Sequence, residues 1–128
     1  MVDMVIIDTD ILIDISRNNE KAIVHLENLE TNSLLAVSLI TQMELPVSCR
    51  NKQEAVFLDN FLKRFQIIKL NENISMITVD LLRQYRLSHG LLMPDALIAA
   101  TALSLDSGLA TKNQRDYQFI ENLNLLTF

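Results

Sequence analysis

Val2-Asp3-Met4-Val5-Ile6-Ile7-Asp8-Thr9-Asp10-Ile11-Leu12-Ile13 is the stretch on which the fold turns. Its first half, Val2 to Ile7, is short, apolar and rich in β-branched residues, the pattern of a buried strand. It runs into Asp8-Thr9-Asp10. Beyond those acids Ile11, Leu12 and Ile15 fall at helical spacing, until Asn18 and Asn19 break the pattern.

The same alternation continues outward. Residues 20–30 place Ile23, Val24, Leu26 and Leu29 on one side and charges on the other, an amphipathic helix. Residues 34–37 read as a second strand. Residues 38–50 read as a helix beginning near Thr41, and Pro46 inside it predicts a kink or a break. Residues 53–65 form a further amphipathic helix, with Val56, Phe57, Asn60, Phe61 and Arg64 at helical spacing, and residues 66–70 a short strand. A long helix spans 72–89, with Gly90 as its C-terminal cap. Pro94 is expected at the first position of the next helix, which runs through Leu103 and stops before Gly108. Leu109 to Thr111 is a minimal strand, Asp116 to Asn122 a short helix, and Leu123 to Phe128 a final strand. Strands alternating with helices predict an α/β fold, a three-layer α/β/α sandwich with a mostly parallel central sheet, in one domain over 1–128.

The chain has 128 residues, about half of them hydrophobic, with two Gly and two Pro. That is the composition of an ordered globular chain able to bury a core without disulfides. The lone Cys49 excludes an intrachain disulfide and is expected to be a small buried apolar residue. No secretory leader pattern and no membrane-length apolar run occur, so the expectation is a cytoplasmic chain. The net charge is −5, from 11 basic and 16 acidic side chains. Taken alone this opposes nucleic-acid binding, which calls for a basic footprint. Divalent cations bound by several of the acids would reverse the local sign.

In parallel sheets ligands bind beyond the carboxyl ends of the strands. The acids cluster in sequence at those places: Asp8 and Asp10 after the first strand, Glu44 about one helical turn after the second, Asp95 at the opening of the alanine-rich helix, Asp116 after Leu109-Ala110-Thr111. Each also has a structural explanation. Asp8 and Asp10 suit helix caps. Thr41-Gln42-Met43-Glu44 fits a capping box. Asp95 suits the positive end of a helix dipole, and Asn113 with Asp116 has the offset of a cap and its partner. Yet most of these acids adjoin apolar runs, where an uncompensated carboxylate is costly, and one shared cation would compensate several. Oxygen donors without a Cys/His cluster select Mg²⁺ or Mn²⁺. His25 and His89 are too far apart to suggest a zinc motif, and His89 beside Gly90 suits a helix C-terminus.

Four segments resemble the motifs of PIN domains: Val5 to Ile13, Thr41-Gln42-Met43-Glu44-Leu45, Pro94 to Ala102, and Ala110-Thr111-Lys112-Asn113-Gln114-Arg115-Asp116-Tyr117. Their order, spacing and total length are similar to the VapC-type toxins of bacterial toxin–antitoxin pairs. The resemblance implies a PIN fold and a Mg²⁺- or Mn²⁺-dependent endoribonuclease. By match to the motifs, Asp8, Glu44, Asp95 and Asp116 would be the catalytic and metal-site acids. Thr111 and Asn113, with Thr9, would support them. The resemblance also implies an RNA substrate, a homodimer and a small antitoxin that occludes the site. Asp10 stands where the family usually carries Asn or Ser, and either adds a ligand or caps the first helix; the cap is the expectation. Lys112 and Arg115 flank the fourth motif and rank first for RNA contact, ahead of Arg83 and Arg86. The alanines 96, 99, 100 and 102 would let their helix approach the sheet closely and bring Asp95 near Asp8.

Two alternatives stand beside this reading. Asp8-Thr9-Asp10 after a strand also suits a phosphatase of the haloacid-dehalogenase type, with Asp8 as nucleophile, although Leu12 occupies the place of that family's threonine. The other is a PIN-like module that binds a partner without catalysis, against which stands the presence of all four acids.

Overall fold

Alternation of side chains along the central strands sorts the core into two halves, and the helices follow. In the computed structural model, which describes residues 3–128, strand β1 (Asp3–Ile7) sends Val5 and Ile7 to one face and Ile6 to the other. Strand β2 (Ser33–Ser38) does the same with Leu35 and Val37 against Ala36. Helices α1 (Thr9–Ser16), α2 (Glu20–Asn32), α3 (Leu39–Ser48) and α4 (Lys52–Phe61) bury Ile11, Leu12, Leu26, Leu45 and Leu58 on the first face. Helices α5 (Glu72–His89) and α6 (Met93–Ser104) bury Ile74, Leu81, Ile98 and Ala99 on the second. With β3 (Gln66–Ile68), β4 (Gly108–Ala110) and β5 (Asn124–Leu126), the sheet has the order β3-β2-β1-β4-β5. Every pairing is parallel, so the expected three-layer sandwich holds and its sheet is wholly parallel.

The central strand β1 lies between β2 and β4, the place where successive crossovers leave in opposite directions. At such a switch point the loops beyond the carboxyl ends part and open a crevice. The register fixes what lines it. Ile7 pairs with Ala110 and Asp8 N donates to Ala110 O at 2.9 Å, so Asp8 and Thr111 leave the sheet side by side.

Several local expectations are corrected. Strand β1 begins at Asp3 among the described residues, and Val2 lies outside them. Val24 is exposed, as are Val56 and Phe57; α4 instead buries Glu54 and Leu58 and ends at Phe61, followed by a 3-10 turn over Leu62–Arg64. Helix α3 starts at Leu39, because the Ser38 side chain accepts from Ile40 N and caps it there. Pro46 does not break α3. The helix ends two residues later, so only the hydrogen bond to Gln42 is forfeited. Pro94 is the second residue of α6, still within the first turn that tolerates it. Residues 116–122 form no helix; Gln114–Asp116 is one 3-10 turn, β4 keeps its predicted length but begins one residue earlier, and β3 and β5 are shorter than predicted. Cys49 is only half-buried, its thiol donating to Leu45 O. Gly90 ends α5 as predicted, at φ 72°, and Arg86 Nη1 donates to Gly90 O, which spends that guanidinium on the helix end.

No described helix is long and apolar enough to cross a membrane.

Candidate active site

The site begins with Asp8, which the end of β1 leaves buried at 5% exposure at the N-cap of α1. Its Oδ1 accepts from Thr9 N at 2.8 Å, the capping bond, and its Oδ2 accepts from Thr111 Oγ1 at 2.7 Å. Burial nonetheless pushes the Asp8 carboxyl up to about 7, with Asp10 and Asp95 adding repulsion. Capping and membership of an acid cluster are therefore properties of the same side chain.

Thr9 faces the other way. Its Oγ1 donates to Glu44 Oε1 at 2.8 Å and lies 2.9 Å from Thr41 Oγ1. This replaces the expected capping box: Glu44 does not fold back on its own helix start, because Ser38 already caps α3 and places Glu44 further into the helix. Thr41, wholly buried, is a supporting group that motif matching did not single out.

Asp95 stands in the first turn of α6, a helix with no side-chain cap at Leu92. The buried alanines 96, 99, 100 and 102 bring this helix against the sheet. Asp95 Oδ1 accepts from Tyr117 Oη at 3.1 Å. Burial raises the Asp95 carboxyl, and Asp116 and Glu44 are close enough to raise it further. The repulsions thus link Asp10, Asp8, Asp95, Asp116 and Glu44 into one cluster. The four acids that the sequence singled out influence one another in pairs along the same edge of the sheet, although no three of them converge on one point.

Asp10 is not the cap. Asp8 holds that place, and both carboxylate oxygens of Asp10 are buried without a hydrogen-bond partner. Burial pushes its carboxyl up to about 6, against the attraction of Lys112; the amides of Ile11 and Lys112 lie near without closing a hydrogen bond. Lys112, ranked with Arg115 for RNA contact, is paired in this structure, Nζ donating to Asp14 Oδ2 at 2.7 Å at the surface. Arg115 is exposed, on an open hollow of about 580 Å³ that Asp116 also lines. Asn113 supports Thr111 through its backbone amide, which donates to Thr111 Oγ1 at 3.1 Å, rather than through its side chain.

Sequence reasoning also passed over Tyr117, which is fully buried yet ends on an acid of the cluster. A tyrosine between Asp116 and the apolar Phe119-Ile120 was the available signal, since a buried phenol requires a partner.

Among the described residues no three His, Cys, Asp or Glu side chains are grouped so as to hold a metal ion together. The donor set is nevertheless all oxygen, and it holds a buried carboxylate with nothing to bond.

A wholly parallel sheet whose central strand ends in a buried acid, with further acids delivered beside it by α3, α6 and the turn after β4, defines an α/β protein built around a carboxylate cluster at its switch point. The chain belongs to the PIN-domain family, whose model matches residues 5–121. It is similar to the ribonuclease VapC19 of Mycobacterium tuberculosis (strain H37Rv), 35% identical over 94% of this chain and 97% of the relative. It is 31% identical to the ribonuclease VapC10 of the same strain, over 94% and 90% of the two chains. Among solved structures, a toxin–antitoxin complex from Klebsiella pneumoniae matches with a TM-score of 0.76 and 31% identity, covering 96% of each chain. VapBC2 from Rickettsia felis, bound to a promoter DNA fragment, matches with 0.82 and 27%, covering 98% of each.

Proposed function

We propose that this chain is a metal-dependent endoribonuclease and the toxin of a toxin–antitoxin pair. The observation that carries the reading is the placement of Asp8, Asp10 and Asp95 at the sheet switch point, where burial works against the ionisation of all three, with Glu44 and Asp116 beside them. Within the cluster only Lys112 offsets the charge of Asp10, and it makes no hydrogen bond to the Asp10 oxygens. Mg²⁺ or Mn²⁺ fits these residues, because Mg²⁺ is held by one or two carboxylates and keeps several waters rather than needing a closed protein cage. Of the candidates Asp8, Asp95, Asp116 and Glu44, with Asp10 beside them, one or two would hold it directly and the others would reach it through its waters.

When bound, a divalent cation supplies charge neutralisation at the phosphodiester and an activated water. The chain's own residues do the rest. Thr9 N and Thr111 fix Asp8 on both oxygens, Thr9 Oγ1 fixes Glu44, and Tyr117 fixes Asp95. Arg115, on the hollow beside Asp116, is placed to meet an RNA phosphate. Lys112 reaches one only by leaving Asp14.

The RNA substrate is supported by the relatives named as ribonucleases at 35% and 31% identity. The antitoxin partner is supported by the solved toxin–antitoxin complex at 31% and by VapBC2 at 27%. Homodimer formation belongs to the same proposal. The test compares Mg²⁺- or Mn²⁺-dependent RNA cleavage by the wild type with Asp8→Asn and Asp95→Asn. Loss of cleavage in both variants is expected. Equal cleavage by all three would assign the activity elsewhere, and no cleavage of any RNA by the wild type would leave a binding module.

A further inference from the structure

Three acids of the site, Asp8, Glu44 and Asp95, are not equally constrained, and the difference points to Tyr117. Asp8 has both oxygens bonded, to Thr9 N and Thr111 Oγ1. Glu44 has one, through Thr9 Oγ1. Asp95 has one, through Tyr117 Oη, and helix α6 offers it nothing more, since that helix opens without a side-chain cap. A carboxylate on the first turn of a helix is free to turn about its last bond unless a donor fixes it.

Tyr117 is suited to fix it. Its ring is wholly buried in the core half that also holds Leu109, Ile6 and Ala99. Its backbone is tied on both sides, its N–H donating to Gln114 O at 3.1 Å and its carbonyl accepting from Ile120 N at 3.0 Å. The hydroxyl of a side chain so held has little room to move. A buried phenol needs an acceptor, and a backbone carbonyl would serve the core equally well. Here the acceptor is Asp95, an acid of the cluster 22 positions away in sequence, and Asp8 lies close to the same hydroxyl.

We propose that Tyr117 is a positioning residue: its hydroxyl holds Oδ1 of Asp95 and thereby fixes the orientation of that carboxylate for the cation that the acid cluster would take. This rests on the metal reading given above. Groups that orient a metal's ligands govern affinity although they never touch the ion, and their loss costs about 10–100-fold.

The experiment is calorimetric titration of Mn²⁺ into the wild type, Tyr117→Phe and Tyr85→Phe, with the metal-free Tm of each measured in parallel. Tyr117→Phe keeps the ring in the core and removes one oxygen. Its Mn²⁺ affinity is expected to fall about 10-fold or more. Tyr85→Phe, which removes the hydroxyl that accepts from Glu121 N away from the acids, is expected to bind as the wild type does. Wild-type affinity in Tyr117→Phe overturns the positioning role, as does a lowered metal-free Tm with no change in affinity, which is the mark of a purely structural hydroxyl. An equal fall in Tyr85→Phe also overturns it, by making the loss general. Absence of Mn²⁺ binding by the wild type overturns the metal reading itself, and the role of Tyr117 with it.

Discussion

Thr111 Oγ1 donates to Asp8 Oδ2 at 2.7 Å, closing a contact between residues 103 positions apart. The bond spans the two strands that meet at the switch point, and it completes the hydrogen bonding of a buried carboxylate whose other oxygen caps α1. Thr111→Val keeps the shape and removes the donor. Leaving Asp8 half-satisfied is expected to cost about 1–3 kcal/mol in urea denaturation at pH 8. Mn²⁺ affinity is expected to fall roughly 10–100-fold. Thr111→Ser, which restores the hydroxyl, is expected to restore both.

The raised carboxyls make the metal-free protein sensitive to pH. Asp8 is pushed up to about 7 and Asp10 to about 6, from an ordinary value of 3.8. Between the ordinary and the raised values the folded chain binds more protons than the unfolded one, so stability falls as pH rises. Their contribution is fully present below about pH 4 and gone above about pH 7. For these two groups the metal-free chain is thus expected to be more stable at pH 5 than at pH 8, and Asp8→Asn is expected to flatten the slope. A metal-free Tm that climbs between pH 5 and pH 8, with no change in Asp8→Asn, would contradict the assignment.

Asp10→Asn addresses the unpartnered acid directly. At pH 8 the wild-type side chain is ionised and unbonded, so its neutral replacement is expected to stabilise the metal-free protein by about 1 kcal/mol. The advantage is expected to shrink at pH 5, below the point at which Asp10 protonates. Saturating Mg²⁺ is expected to raise the Tm of the wild type more than that of the variant. Thermal melts at the two pH values, with and without Mg²⁺, read all three effects.

Close approach of α6 to the sheet depends on small side chains. Ala99 is fully buried, and Ala99→Leu forces the helix outward or the core off its preferred rotamers, at about 1–3 kcal/mol. Because α6 carries Asp95, RNA cleavage is expected to fall further than the lowered Tm alone explains at a temperature where the variant remains folded. Full cleavage by a folded variant would show that Asp95 tolerates displacement.

The acids themselves were legible because helix openings after strands have a local signature: Asp after a β-branched run, Pro then Asp before an alanine run. What each acid does there was not. Asp8 and Asp10 stand two residues apart in similar sequence, and capping suits either. The structure gives the cap to Asp8 because β1 ends at Ile7 and α1 starts at Thr9. Glu44 matched a capping box from Thr41, but the helix had already begun at Leu39 under Ser38. The misread face of α4 has a similar cause. Phe57 carries more apolar surface than Leu58, yet the direction of the core selects Leu58, while buried Glu54 is held by Arg50.

Sequence by itself determined the alternation of strand and helix, the parallel sandwich, and the four acids placed where its strands end. These follow from side-chain period and from local helix-start chemistry, both readable within a dozen residues. Only the tertiary structure decided which partners complete them. Thr9 meets Glu44 across 35 positions, Tyr117 meets Asp95 across 22, and Thr111 meets Asp8 across 103. Such hydrogen bonds depend on strand order and register, which bring distant segments to one edge of the sheet. The same packing left both oxygens of Asp10 buried without a closed hydrogen bond.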